Sequence, residues 1–208
     1  MNKLFVIGLP RTGTTSISVA LLDYDFSVAH TAFTKRAFEL ADVVSDAPCF
    51  SDYRQLDGLF PGSRFVYLRR DITLWLPSIR RLLKKMADNI QPKTGSFNPV
   101  LKRSFYQTFG SLDDADAFSD AHLSQCYSDH QAQVLAYFDG RDDLLQLDIS
   151  DANSLPTLLD FIGIEHQTGK SLPHVNRGNV VDHWKETKHP NKVNPLSAGV
   201  DHRQFFDY

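Results

Sequence analysis

The sequence predicts an α/β fold, with a mainly parallel sheet flanked by helices. Three observations carry this expectation. Leu4-Phe5-Val6-Ile7 and Phe65-Val66-Tyr67-Leu68 are short continuous apolar runs, the pattern of strands buried on both faces of a parallel sheet. Each run is followed by apolar residues at helical spacing. A glycine-framed turn, Gly8 to Ser16, joins the first run to its helix.

The elements follow in order. After the turn, Ile17, Ala20, Leu21 and Tyr24 recur at helical spacing. Ser27 to His30 reads as a short second strand. Phe33, Ala37, Leu40 and Val44 mark a second amphipathic helix, and Asp46-Ala47-Pro48 breaks it. Ser51 is placed to cap a short helix carrying Tyr53, Leu56 and Leu59, which Pro61-Gly62 ends. Asp71 is placed to cap the helix after the Phe65 strand, whose apolar stripe is Ile72, Trp75, Ile79, Leu82 and Met86. Residues 88–116 show no sustained period and contain Pro92, Gly95, Pro99 and Gly110, so this segment is either disordered or functional. A long helix is expected over about 117–138, a strand over Asp143–Leu147, and a short helix over Leu155–Ile162 stopped by Gly163. The tail from Leu172 is polar and irregular.

Composition bounds the rest. The 208 residues suit one domain spanning 1–208. A hydrophobic share of 42% with 23% charged residues is ordinary for a globular protein in water. The net charge of −3 gives no sign of a nucleic-acid binder. Cys49 and Cys126 are too few and too far apart for a zinc pattern and suit a reduced pair. The apolar run near the N-terminus is too short for a signal peptide, and no stretch approaches the roughly 20 residues that span a bilayer. These points favour a cytoplasmic enzyme acting away from membranes; oligomeric state is not legible.

The informative string is Gly8-Leu9-Pro10-Arg11-Thr12-Gly13-Thr14-Thr15-Ser16. It keeps the GxxxxG frame of a P-loop between a buried strand and a helix, where glycines let the backbone wrap an anion and the helix start favours negative charge. The lysine that a Walker A motif carries after its second glycine is absent, since Thr14 stands there. The cation is displaced to Arg11.

Pro10-Arg11-Thr12-Gly13-Thr14-Thr15-Ser16 resembles the 5′-phosphosulfate loop of the sulfotransferase family, which uses 3′-phosphoadenosine 5′-phosphosulfate as donor and needs no metal. The resemblance implies a P-loop nucleotide-binding architecture with Pro10, Arg11, Thr12, Gly13, Thr14, Thr15 and Ser16 around the phosphosulfate. A second match is Arg70 with Ser78 eight residues later, at the end of a buried strand and on the following helix. In the family an arginine and a serine at this spacing hold the donor's 3′-phosphate, and a fork-shaped guanidinium with a hydroxyl suits that dianion. Arg-Asp…Trp-x-x-Ser is similar to the soluble bacterial branch. Two alternatives stay open: Arg69 in place of Arg70, and a shift of Ser78 by Pro77. A third match, Arg177-Gly178 followed by Trp184-Lys185, resembles the late loop that closes over the nucleotide.

Arg11 is the candidate for stabilising the leaving oxygen, as the family's loop cation does. For the base, Asp46 in Asp-Ala-Pro corresponds to the catalytic histidine of the family's Thr-His-x-Pro, while His30 titrates near neutrality but lies in no motif. The acceptor is expected to be a small molecule bearing a hydroxyl or amine. A lid or helical insertion on the acceptor side is placed at about 88–138. Its aromatics between 97 and 118 either line an acceptor pocket or fill a subdomain core. Two other functions remain: a P-loop kinase or NTPase, with Thr15 as magnesium ligand and Leu144–Asp148 as the second acidic strand, and a nucleotide-binding protein without catalysis.

Overall fold

A computed structural model of the chain describes residues 2–114, 116–165, 172, 183–198 and 205–206. The strands are β1 (Leu4–Val6), β2 (Val28–Ala29), β3 (Val43–Ser45), β4 (Arg64–Arg69) and β5 (Leu144–Asp148). The helices are α1 (Thr14–Leu22), α2 (Lys35–Leu40), α3 (Cys49–Leu59), α4 (Ile72–Ile90), α5 (Pro99–Phe109), α6 (Asp120–Tyr137), α7 (Ser154–Ile162) and α8 (His183–Glu186). The strands form one sheet in the order β2-β3-β1-β4-β5, and every pairing is parallel. The chain is an α/β fold with a five-stranded parallel sheet flanked by helices.

Alternation along the central strands sorts the core into two layers. Leu4, Val6, Val66 and Leu68 pack with Ile17 and Leu21 of α1 and Leu158 and Leu159 of α7. Phe5, Ile7, Phe65 and Tyr67 face the other way, against Phe38, Tyr53, Leu56, Val134 and Phe138. A third cluster lies beyond the carboxyl ends of the strands, where Trp75, Ile79 and Leu83 of α4 meet Phe105 and Phe109 of α5 and Leu123 and Tyr127 of α6.

Four local expectations need correction. Val44 is not helical: α2 stops at Leu40, Ala41 is extended, and Val43–Ser45 pairs with β1 as a fully buried strand. Ser51 does not cap α3. Pro48 holds that position, and the Ser51 hydroxyl donates to Pro48 O and Asp52 Oδ1 from inside the helix. The segment 88–116 is not irregular throughout, since α4 runs to Ile90 and α5 fills 99–109 between an Asn98 cap and Gly110. The tail includes an ordered stretch: Val28 N donates to Asn191 O and Val193 N to Val28 O, both within 2.9 Å, so it runs along the edge strand β2. The Asp71 cap is as expected, its carboxylate accepting from Thr73 N at 2.7 Å.

The strand order positions the site. From β1 the chain winds to one side through β2 and β3, then crosses to the other side for β4 and β5. The crevice at the reversal opens between the carboxyl ends of β1 and β3, the customary place for a ligand in such a sheet.

Candidate active site

Gly8 lies two residues past β1 with no room for a side chain. A Cβ there would sit 2.5 Å from the Cβ of Leu68 and 2.8 Å from Thr12 Oγ1. Beyond it the backbone turns through two left-handed residues, Arg11 (φ 73°) and Gly13 (φ 117°). Such a turn gathers successive N–H groups on its concave side. Thr12 closes it from behind: its hydroxyl donates to Leu9 O at 2.6 Å, and its side chain is fully buried. Thr12 therefore shapes the loop and does not line the cavity. α1 then begins at Thr14 with no side chain capping it, which leaves its first N–H groups for a ligand.

Three contacts, from α4 and from the residue that follows β4, brace the loop. Trp75 Nε1 donates to Pro10 O at 2.9 Å, Arg70 Nη1 donates to Arg11 O at 2.6 Å, and Arg11 Nε donates to Ser78 Oγ at 2.9 Å. Arg70 lines the cavity, whereas Arg69 ends β4 in an exposed position. Pro77 sits inside α4 without ending it, and Ser78 faces the loop. Burial pushes the Arg11 guanidinium below its ordinary pKa, Arg70 and Arg81 push it further the same way, and Asp46 opposes them.

The opposite wall holds both base candidates. Asp46 follows β3 in a left-handed conformation (φ 58°). Its Oδ1 accepts from Ala47 N at 2.8 Å, and its Oδ2 accepts from the Thr14 hydroxyl at 3.2 Å across the crevice. His30 follows β2, with Nε2 3.0 Å from Thr15 Oγ1 and 3.8 Å from Asp46 Oδ2. Its Nδ1 is 2.8 Å from Ser45 Oγ. Burial lowers the His30 pKa, Asp46 counters that, and Lys192 adds to the lowering. Trp184 of α8 lies against the imidazole, with ring centroids 5.4 Å apart.

Together these groups border a cavity of about 620 Å³. Pro10, Arg11, Gly13, Thr14, Thr15, Ser16, His30, Asp46, Arg70 and Ser78 all line it. Its far end is apolar, built from Leu74, Pro77, Leu82 and Met86 of α4 with Leu101 and Phe105 of α5. Sequence reasoning missed Arg81, a further guanidinium on the cavity wall one turn past Ser78, and Ile149 and Ser150 just beyond β5; Asp148, named only for the NTPase alternative, also lines the wall. The i+3 spacing from Ser78 was the available signal for Arg81. Arg177 and Gly178 lie outside the described residues. Among the described residues, no group of three or more His, Cys, Asp or Glu could hold a metal ion, and no helix is long and apolar enough to cross a membrane.

A family model described as a sulfotransferase domain matches residues 29–181. The chain belongs to the sulfotransferase family. The matched span holds His30, Asp46, Arg70, Ser78, Arg177 and Gly178, but begins after the anion loop. In this sulfotransferase the loop is therefore assigned on its own residues and conformation. No curated protein gives a significant match to the chain.

Proposed function

We propose that this sulfotransferase moves a sulfuryl group from 3′-phosphoadenosine 5′-phosphosulfate to a hydroxyl or amine of a small acceptor. The observation that carries the reading is the convergence of the loop with its displaced cation and the Arg70–Ser78 pair on one cavity wall. The residues present fit such a donor. The left-handed turn at Arg11 and Gly13 and the uncapped start of α1 offer N–H groups to the phosphosulfate, with Thr14, Thr15 and Ser16 beside them. Arg70 and Ser78 offer a guanidinium and a hydroxyl to the 3′-phosphate, with Arg177 and Gly178 expected to complete that grip.

The donor supplies the activated sulfuryl group; the chain supplies position, charge and a base. Arg11 neutralises the oxygen that departs with the nucleotide as its bond to sulfur breaks. The acceptor oxygen or nitrogen forms the new bond to sulfur and gives its proton to the opposite wall, where Asp46 Oδ2 and His30 Nε2 stand 3.8 Å apart. The apolar end under α4 and α5 suits the body of the acceptor. The unpaired thiols of Cys49 and Cys126 suit a reducing, cytoplasmic setting.

A kinase or NTPase reading is less well supported. No lysine follows Gly13, and the loop's cation stands instead at Arg11. A binding-only protein would need the anion groups but no base. Adenosine 3′,5′-bisphosphate without metal is expected to raise the melting temperature more than magnesium-ATP, and the reverse ranking would refute the donor assignment. Transfer from labelled donor to a panel of phenols, alcohols, amines and sugars, abolished in Arg11→Ala, separates catalysis from binding alone.

A further inference from the structure

Behind His30 lies a chain of hydroxyls that the transfer reaction does not itself require. Ser18 Oγ is 2.8 Å from Thr14 O, 2.7 Å from Ser45 Oγ and 3.3 Å from His30 Nδ1. Ser45 Oγ is 2.8 Å from His30 Nδ1. Both serines are fully buried, on α1 and at the end of β3, so no bulk water completes their hydrogen bonds.

The direction of these bonds follows from counting hydrogens. Thr14 O is a carbonyl and can only accept, so the Ser18 hydroxyl must donate to it. Ser18 has no second hydrogen, so the short contact to Ser45 requires Ser45 to donate. Ser45 has then spent its own hydrogen and can only accept from His30 Nδ1. Any other assignment sets two bare lone pairs facing each other at 2.8 Å or less. Nδ1 therefore carries the imidazole proton, and Nε2 accepts from the Thr15 hydroxyl at 3.0 Å, on the side of Asp46 and the cavity.

We propose that Ser18 and Ser45 are positioning residues: through the fixed carbonyl of Thr14 they lock His30 as the Nδ1–H tautomer and so keep Nε2, which accepts from Thr15 Oγ1, a proton acceptor on the cavity side. The tautomer of a histidine base decides which nitrogen can take a proton, and an imidazole with Nε2 protonated would offer the cavity only a donor. The helix that begins the anion cradle at Thr14 thus also sets, one turn further on, the polarity of the opposite wall. The charged groups facing this imidazole are Asp46 beyond Nε2 and Lys192 from the tail; neither touches Nδ1 at hydrogen-bond distance among the described contacts.

The catalytic part of this inference rests on the sulfuryl-transfer reading and on His30 rather than Asp46 taking the proton, but the tautomer rests on neither, so the two fail separately. The test is the nitrogen NMR spectrum of the protein with ¹⁵N-labelled histidine, the His30 signals being assigned by their loss in His30→Gln. The wild type is expected to show Nδ1 protonated and Nε2 bare. Ser18→Ala removes the acceptor for the Ser45 hydrogen, which then turns to Nδ1 at 2.8 Å in preference to the His30 carbonyl at 3.5 Å, so this variant is expected to invert the tautomer. Ser45→Ala is expected to abolish the single tautomer in favour of a mixture. In the transfer assay Ser18→Ala should lower kcat by about a hundredfold, within the range general-base catalysis supplies, with KM for the donor unchanged. A wild-type His30 protonated at Nε2 overturns the proposal even if neither variant folds, and so does a Ser18→Ala protein that keeps the wild-type tautomer. Loss of KM rather than kcat would make the serines merely structural.

Discussion

Arg11 Nε and Ser78 Oγ lie 2.9 Å apart, and this hydrogen bond ties the tip of the anion loop to the middle of α4. Because the serine oxygen accepts, its own hydrogen stays available to a second partner. Replacing it should loosen the arginine and remove one donor from the wall. Ser78→Ala is expected to weaken binding of adenosine 3′,5′-bisphosphate by about ten- to a hundredfold, since hydrogen bonds to charged groups are worth about 1.5–3 kcal/mol. Titration calorimetry reads this directly, and an unchanged affinity would separate Ser78 from the donor.

Gly13 combines a left-handed φ of 117° with a wall of side chain, as a Cβ there would stand 2.4 Å from Ile149 Cδ1. Gly62, also left-handed at φ 78°, has open space around it. Both alanine variants bear backbone strain of about 1–3 kcal/mol, but Gly13→Ala must also displace Ile149. Urea unfolding should therefore rank Gly13→Ala below Gly62→Ala. Only the former should lose nucleotide binding.

Asp52 is buried at 1% exposure and receives both Nη1 and Nη2 of Arg103, at 2.8 and 2.6 Å, which fastens α5 to α3. Removing Arg103 costs about 1–3 kcal/mol, less than for a fully buried pair, because Arg103 is a third exposed and the Ser51 hydroxyl still donates to Asp52 Oδ1. Arg103→Ala should show a loss of that order in chemical denaturation. The double variant Asp52→Asn with Arg103→Ala should recover part of it, whereas full additivity would mean that the pair is not coupled.

Stability should fall on mild acidification. His130 is buried and donates Nε2–H to Phe50 O at 2.8 Å, while its Nδ1 has no partner, and burial pushes its pKa down to about 4. The unfolded chain, with an ordinary value near 6.5, binds the proton first. The contribution is therefore intact above about pH 6.5 and is lost as pH drops toward 4, by up to about 3 kcal/mol. His30, also lowered, acts in the same direction. Melting temperatures between pH 7 and 4 should fall less steeply for His130→Gln than for the wild type.

What could be read from the chain in advance was chemistry written locally. The loop from Gly8 to Ser16 and its flanking strand and helix are consecutive residues, and Arg70 with Ser78 is one strand end and two helical turns. Strand β3 was hidden because Phe33, Ala37, Leu40 and Val44 repeat at helical spacing. Pairing of Val43–Ser45 with β1 overrides that period. Helix α5 carried legible ends, Asn98-Pro99 and Gly110, inside a segment whose aromatics showed no clean stripe. The roles of Ser18 and Ser45 could not be seen at all. Two small polar residues on different elements mean nothing until the fold sets them 2.7 Å apart.

The cavity draws its walls from residues as distant in the chain as Pro10 and Ser150. A molecule seated there bridges the loop after β1, the turn after β3, the end of β5 and the helices α4 and α5 all at once. Each of those elements detaches less readily while the molecule stays. Occupancy therefore sets how long the protein survives a protease as well as how it reacts, and in a cell its lifetime should follow the supply of whatever fills the crevice.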